Sequence, residues 1–126
     1  MRAAYIVIAH GSRDSEANQA FKGFLEEFRR AFPSRSAEGA FLELAAPSLK
    51  DAIAGSVDRG AEEIFIIPWM LFSGRHVKKD IPQMIQEAKQ KFPQVDFHYA
   101  GPLCEHPGML SLLEDKLNSF SENKKR

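Results

Sequence analysis

The chain has 126 residues, enough for one compact domain but not for separate catalytic and regulatory halves. Its 44% hydrophobic content and ten phenylalanines can form a packed core, which excludes a disordered chain. Seventeen basic and seventeen acidic residues cancel, so no basic field is available to bind nucleic acid or an anionic membrane. The single Cys104 excludes an intrachain disulfide framework, and no apolar stretch reaches the roughly 18 residues of a membrane span. We therefore expect a cytoplasmic protein without nucleic-acid or membrane partners.

Four strand-then-helix units are predicted along the chain. Continuous apolar runs predict strands, and apolar residues spaced three or four apart predict helices. Proline and glycine mark the boundaries: Pro33 and Gly60 end helices, and Pro47 opens one. The strands are predicted over residues 3–9, 39–44, 63–68 and 95–99, and the helices over 17–32, 47–60, 81–92 and 109–120. Residues 1–120 are expected to form the single domain, and residues 121–126 a frayed tail.

This alternation predicts an α/β fold with a four-stranded parallel sheet flanked by helices on both faces. Right-handed crossovers in a short chain favour the flavodoxin-like strand order 2-1-3-4. The first and third strands are then neighbours whose connections leave to opposite faces. The candidate site is the crevice at their carboxyl ends.

Two histidines are expected at this crevice. His10 directly follows the first strand, and His76 lies in the segment after the third strand. Neutral imidazole nitrogens bind divalent transition metals, and an imidazole can accept a proton near neutral pH. For His10 alone, a hydrogen bond to its own turn is an equal alternative. The convergence of the two histidines favours a shared metal site.

Charged residues surround the two histidine segments. Arg13, Arg75, Lys78 and Lys79 concentrate positive charge there in an otherwise neutral chain, which suits an acidic ligand. The alternative for the two lysines is solvation of a helix start. Glu43 lies at the end of the second strand, where its carboxylate can face the crevice, a partner or solvent.

An apolar run occupies a position where a loop is expected. Trp69, Met70, Leu71 and Phe72 follow the third strand directly. Exposed to water they would be costly, so we expect them to line a large flat apolar ligand or to seal a subunit interface.

Four sequence blocks run in order across nearly the whole chain: Ile8-Ala9-His10-Gly11-Ser12-Arg13 with Asn18, residues 41–49, residues 67–82, and Gly101-Pro102-Leu103 with His106-Pro107. Together they resemble the short class II chelatases of the CbiX/SirB type. The segment Phe72-Ser73-Gly74-Arg75-His76-Val77 is the most specific part of the likeness. Ala46 and Cys104 depart from the residues that relatives often carry.

The resemblance implies a chelatase half-domain and a lyase activity. The reaction would insert a divalent metal into sirohydrochlorin, in tetrapyrrole and cobalamin biosynthesis. The metal would be a co-substrate, with Co²⁺ favoured and Ni²⁺ or Fe²⁺ as alternatives, and no organic cofactor would be needed. The single-unit length resembles family members that pair as homodimers.

The resemblance also implies roles for individual residues. His10 would be metal ligand and proton acceptor, and His76 the second ligand. Glu43 would orient a histidine or take part in proton removal. Contacts with the tetrapyrrole substrate are implied for Ser12, Arg13, Ala46, Met70, Leu71, Phe72, Ser73, Gly74 and Arg75.

Two other functions use the same residues. A non-catalytic carrier of metal or tetrapyrrole could use both histidines, and it would saturate at one equivalent per site. A structural flavodoxin-like domain would bind metal no differently after losing them.

Overall fold

A computed structural model describes residues 2–35, 37–72 and 74–124 of the chain. Helices and strands alternate along the sequence, as the apolar patterning predicts. A π-helical turn and a 3₁₀ turn interrupt this alternation in the second half of the chain. The elements are β1 (Ala3–Ala9), α1 (Ser15–Ala31), β2 (Ala37–Phe41), α2 (Leu49–Asp58), β3 (Glu63–Pro68), the π turn (His76–Asp80), α3 (Ile81–Lys91), β4 (Asp96–Tyr99), the 3₁₀ turn (Leu103–Glu105) and α4 (Gly108–Lys124).

The four strands form one parallel sheet in the order β2-β1-β3-β4. This confirms the predicted α/β fold and strand order. In the register, Val7 of β1 pairs with Gly39 on one side and with Ile67 on the other. The carboxyl ends of β1 and β3 therefore lie side by side at one edge of the sheet.

The hydrophobic core lies on both faces of the sheet because β1 and β3 are apolar at successive positions. Ile6 and Ile66 point to the face that α2 and α3 cover and are fully buried. Val7 points to the opposite face, where it packs with Phe21 and Leu25 of α1. The sheet is thus anchored by helices on both sides of β1.

Two boundaries near the candidate site differ from the prediction. β2 ends at Phe41, so Glu43 lies in a loop beyond the strand. The apolar residues after Phe41 extended the predicted strand, but Leu44 adopts a positive φ of 66°, which extended strands do not allow. α2 begins at Leu49 rather than at Pro47, because the Ser48 side chain caps it by accepting the N–H of Asp51 at 3.1 Å.

The last helix also differs from its predicted boundary. α4 continues past Phe120 to Lys124, so residues 121–124 are helical rather than a frayed tail. The segment after Phe120 contains neither glycine nor proline, and nothing in it ends a helix. Residues 125–126 of the expected tail lie outside the described residues. None of the helices in the described ranges has the length and apolarity needed to cross a lipid bilayer.

Candidate metal-binding site

His10 lies directly after β1, and backbone hydrogen bonds from two sides hold its position. The Trp69 N–H donates to the Ile8 carbonyl at 2.8 Å, and the Glu43 N–H donates to the His10 carbonyl at 3.1 Å. The imidazole is exposed at the carboxyl edge of the sheet. The sheet thus fixes the backbone of His10 and leaves its ring available to a ligand.

Gly11 allows this close approach of the loop after β2. Its φ of +87° is one that glycine adopts without strain. A Cβ at this position would lie 1.8 Å from the carbonyl oxygen of Glu43. Only glycine therefore fits between His10 and the Glu43 loop.

His76 begins the π turn, which positions its ring next to His10. The Nδ1–H of His76 donates to Oδ2 of Asp80 at 2.7 Å. This contact leaves Nε2 of His76 to bind a metal ion. Metal-binding histidines commonly donate their other ring N–H to a carboxylate, which fixes the orientation of the ring.

The imidazole rings of His10 and His76 lie close together. Their ring centroids are 5.2 Å apart and the rings are inclined by 71°. Two imidazoles bound to one ion with metal–nitrogen distances of about 2.0–2.1 Å and a tetrahedral angle place their centroids about 5 Å apart. The observed separation therefore matches that of two ligands sharing one ion.

Tyr99 supports the π turn from β4. Its hydroxyl donates to the Val77 carbonyl at 3.0 Å, and Val77 is buried in the core. Burial raises the pKa of Tyr99 to about 12. Tyr99 is therefore a neutral hydrogen-bond donor that holds the segment carrying His76.

The turn after His10 is closed by Asn18, for which the sequence suggested no role. Its Oδ1 accepts the Ser12 N–H at 3.0 Å and its Nδ2 donates to the Ser12 carbonyl at 2.8 Å. The Ser12 hydroxyl accepts the N–H of Asp14, the residue that caps α1. Ser12 is thus engaged in the turn, whereas Arg13 is exposed beside it.

The apolar run after β3 divides into buried and exposed residues. Trp69 stacks on Phe24 of α1 at a centroid distance of 4.3 Å. Met70 is buried, and its side chain fixes this segment to the hydrophobic core. Leu71 and Phe72, five and four residues before His76, are exposed large apolar side chains.

The structure describes three of the four remaining predicted substrate contacts. Gly74 and Arg75 are exposed at the start of the π turn, and Ala46 is exposed in the loop after β2. Ser73 lies outside the described residues.

Glu43 is exposed, and among the described residues its contact with His10 is made by its backbone N–H. Within residues 2–35, 37–72 and 74–124, no three histidine, cysteine, aspartate or glutamate side chains are arranged to hold a metal together. The chain therefore offers a pair of imidazoles, supported by Asp80. Asp80 was not predicted as a site residue, although its spacing of four residues from His76 was an available signal.

The histidine pair lies on an open edge rather than in an enclosed cavity. An apolar cavity of about 380 Å³ lies elsewhere, between the side chains of α2 and α3. An open edge can accept a ligand much larger than a metal ion, and Arg13 and Arg75 in the two histidine segments are exposed.

Comparison with known proteins identifies the family of this fold and site. The CbiX family model matches residues 4–120, which include both histidines and all four strands. The match covers nearly the whole chain.

Two curated relatives are of known activity. The chloroplastic sirohydrochlorin ferrochelatase of Arabidopsis thaliana is 34% identical over 112 residues, covering 89% of this chain and 50% of that protein. The sirohydrochlorin cobaltochelatase of Priestia megaterium is 35% identical over 119 residues, covering 94% of this chain and 38% of that protein. This chain thus spans half or less of the length of these two relatives.

A solved structure of similar size has the same fold. The crystal structure of a putative cobalamin (vitamin B12) biosynthesis CbiX protein from Marinobacter aquaeolei VT8 superposes with a TM-score of 0.83 at 28% identity. The match covers 96% of this chain and 98% of that one.

Proposed function

This chain belongs to the CbiX family, and we propose on that basis that it inserts a divalent metal ion into sirohydrochlorin. The observation that carries the proposal is the pair of imidazoles, 5.2 Å apart at the carboxyl ends of β1 and β3. The activities named for the ferrochelatase and cobaltochelatase relatives support the same reaction.

The reaction exchanges protons for a metal ion. Each pyrrole N–H that breaks leaves its electron pair on nitrogen, which forms the new bond to the metal, and its proton goes to a base. In the proposal His10 is metal ligand and proton acceptor, since its ring is exposed and its backbone is fixed by the sheet. His76 is the second ligand through Nε2, with Asp80 holding its ring.

The surroundings of the histidine pair suit an acidic macrocycle. Arg13 and Arg75 lie in the segments that carry His10 and His76 and are exposed, and a guanidinium can bind a carboxylate with two hydrogen bonds. Leu71 and Phe72 present apolar surface for the flat ring. The exposed Ala46 in the loop after β2 is a proposed contact with the macrocycle. The exposed Glu43 of the same loop is proposed to orient a histidine or to take part in proton removal.

Co²⁺ is the proposed physiological metal, with Ni²⁺ and Fe²⁺ as alternative substrates. Imidazole nitrogen accepts several first-row ions, so a site of this type selects its metal partly through availability. No organic cofactor enters this reaction, because metal insertion transfers no electrons and no carbon group.

We propose that two copies act together in the cytoplasm. The exposed Leu71 and Phe72 favour a second copy that completes the cleft over the open edge. The exposed thiol of Cys104 fits a reducing compartment.

The test is insertion of Co²⁺, Ni²⁺ and Fe²⁺ into sirohydrochlorin, followed by absorbance of the macrocycle at buffered free metal. We expect His10→Ala and His76→Ala each to reduce the rate by orders of magnitude with an unchanged circular dichroism spectrum. Lys79→Gln is the control, since this side chain is exposed and is not among the proposed metal ligands or substrate contacts. Parent-like turnover in either histidine variant would contradict the assignment, and product limited to one equivalent per site would indicate a carrier.

A second pair of variants tests whether Arg75 binds the substrate directly or acts only through the net charge of the protein. Arg75→Gln should weaken binding of the acidic macrocycle and raise KM, whereas Lys79→Gln should change it little. Equal effects of the two substitutions would show that Arg75 acts only through net charge.

A further inference from the structure

The loop after β2 leaves the sheet and returns to the residue from which it started. The Phe41 N–H donates to the Pro47 carbonyl at 2.8 Å, and Phe41 also forms a parallel bridge with Ser48. The loop of residues 42–47 therefore begins and ends beside Phe41, the last residue of β2. Because Phe41 lies at the carboxyl end of a parallel strand, the loop projects from the same edge of the sheet as His10.

Backbone hydrogen bonds and two apolar side chains fix this loop in place. The Leu42 N–H donates to the Ala9 carbonyl at 2.8 Å. The Glu43 N–H donates to the His10 carbonyl at 3.1 Å. The Leu42 side chain packs against the core on the side of α2 and α3, and Ala45 packs against the core on the side of α1. The loop is thus attached to β1 and to the core on both faces of the sheet.

Leu44 combines two unfavourable properties in the middle of this loop. Its φ of 66° is in the left-handed region, and within residues 2–35, 37–72 and 74–124 no other residue except glycine has a positive φ. The leucine Cβ is crowded in that conformation, whereas glycine and asparagine tolerate it. The side chain is also 55% exposed. Neither the backbone conformation nor the packing of the fold therefore accounts for a leucine at this position.

The strand order places the Leu44 loop and the segment after β3 on opposite sides of the segment that carries His10. β1 lies between β2 and β3, and two strand spacings of about 4.8 Å each separate the outer two strands. The loops that flank His10 therefore leave the sheet about 10 Å apart, a distance that one broad ligand can bridge. Both loops present exposed large apolar side chains, which are Leu44 on the β2 side and Leu71 and Phe72 on the β3 side.

We propose that Leu44 is a specificity-determining residue for the macrocycle, which it contacts from the β2 side of His10. This assignment rests on the proposed function, because it adds one contact to the same site. Contact with the apolar part of the ring removes the Leu44 side chain from water, which is favourable in proportion to the area covered. The left-handed backbone holds that side chain out at the edge, and such strain is typical of ligand-binding sites.

Leu44→Asn separates the contact with the macrocycle from the stability of the fold. Asparagine adopts the left-handed conformation more readily than leucine, and it removes the exposed apolar side chain. We therefore expect a higher urea midpoint than in the parent, together with weaker binding of metal-free sirohydrochlorin. The dissociation constant in an absorbance titration should rise at least about tenfold, since the burial of most of a leucine side chain is worth at least that factor.

Two further variants are the controls. Leu44→Met retains a large apolar side chain, so its affinity for sirohydrochlorin should stay close to that of the parent. Phe32→Asn also removes a half-exposed apolar side chain, but Phe32 follows the end of α1, at the opposite edge of the sheet from His10. It should leave the affinity for sirohydrochlorin unchanged. Co²⁺ affinity without the macrocycle should be unchanged in all three variants, because Leu44 and Phe32 lie outside the imidazole pair.

Three results would overturn the assignment. Parent-like affinity for sirohydrochlorin in Leu44→Asn would show that the side chain makes no contact with the macrocycle. A lower urea midpoint in this variant would show that Leu44 serves the fold. Weaker self-association in sedimentation equilibrium with unchanged affinity for sirohydrochlorin would place Leu44 in a subunit interface instead.

The titration needs no turnover, so its outcome is separate from that of the insertion assay. Unchanged sirohydrochlorin binding in Leu44→Asn with an active parent would refute the contact and leave the proposed function standing. Binding that depends on Leu44 in a parent without insertion activity would leave the contact standing and refute the proposed function. A parent that binds no sirohydrochlorin would overturn both.

Discussion

Substitution of Gly11 by alanine tests whether the distance between His10 and the Glu43 loop controls the site. The new Cβ would lie 1.8 Å from the Glu43 carbonyl oxygen, whereas ordinary contacts begin at 3.4 Å. The two loops must therefore separate by about 1.6 Å. A displacement of about 1 Å at a reacting group can reduce a rate about 100-fold, which is the loss we expect here.

The same substitution should destabilise the fold. An alanine at a φ of +87° costs roughly 1–3 kcal/mol of unfolding free energy, and the Glu43 to His10 hydrogen bond is worth about 0.5–1.5 kcal/mol more. We expect a total loss of about 2–4 kcal/mol in urea denaturation.

Gly23→Ala is the matched control. Gly23 lies within α1, and a Cβ there would meet nothing within 4 Å. Alanine in a helix should stabilise the protein by up to about 1 kcal/mol and leave the insertion rate unchanged. Parent-like stability and rate in Gly11→Ala would refute the reasoning.

Three further predictions concern the residues that hold the site in place. Asp80→Asn should lower Co²⁺ affinity about tenfold in calorimetric titration. This is the low end of the effect of a carboxylate that holds a metal-binding histidine, because the side chains of His76 and Asp80 are 40% and 35% exposed. Unchanged affinity would show that Asp80 does not orient the ring. Asn18→Ala removes two hydrogen bonds to the turn after His10 and should cost about 1–3 kcal/mol of unfolding free energy, a loss that urea denaturation would detect. Burial raises the pKa of Tyr99 to about 12 from its ordinary value of 10, so the folded protein retains the phenol proton longer than the unfolded chain, and this contribution to stability is lost as pH rises from 10 towards 12. Tyr99→Phe should be less stable by about 1 kcal/mol at neutral pH and should lack this alkaline loss; parallel pH profiles of the two proteins would contradict the assignment.

The central strands could be predicted from the sequence because burial on both faces leaves a simple signature. β1 and β3 are continuous apolar runs bounded by polar or turn-forming residues, and both match their predicted bounds. The predicted end of β2 was wrong because the apolar residues continue past Phe41 into the loop that carries Glu43. An apolar run does not show where a strand ends, because Leu42 and Ala45 of this loop also pack against the core.

The histidine pair could be predicted from topology, but its support could not. Strand order alone places His10 and His76 at one edge. The contact between His76 and Asp80 depends on side-chain geometry in a π turn, and the Asn18 clamp depends on the shape of the turn after His10. Such features arise from tertiary packing rather than from local propensity.

The apolar spacing in α4 likewise predicted the helix but not the surface against which it packs. An amphipathic stripe indicates that an apolar face must be covered, and it does not say by which surface. Its exposure became visible only once the sheet and the other helices had been placed.

The two imidazoles differ in how firmly the protein holds them. His10 directly follows β1, one of the two strands that are paired on both sides, and central strands open only with global unfolding. His76 belongs to a π turn, an irregular segment that can open locally at much lower cost. His10 is therefore the ligand whose backbone stays fixed, and His76 is the ligand whose backbone can move. Hydrogen exchange should be far slower at the amides of β1 than at those of the π turn. Under the proposed function the site must take up an ion and then release it, and release would require movement of only one of the two ligands.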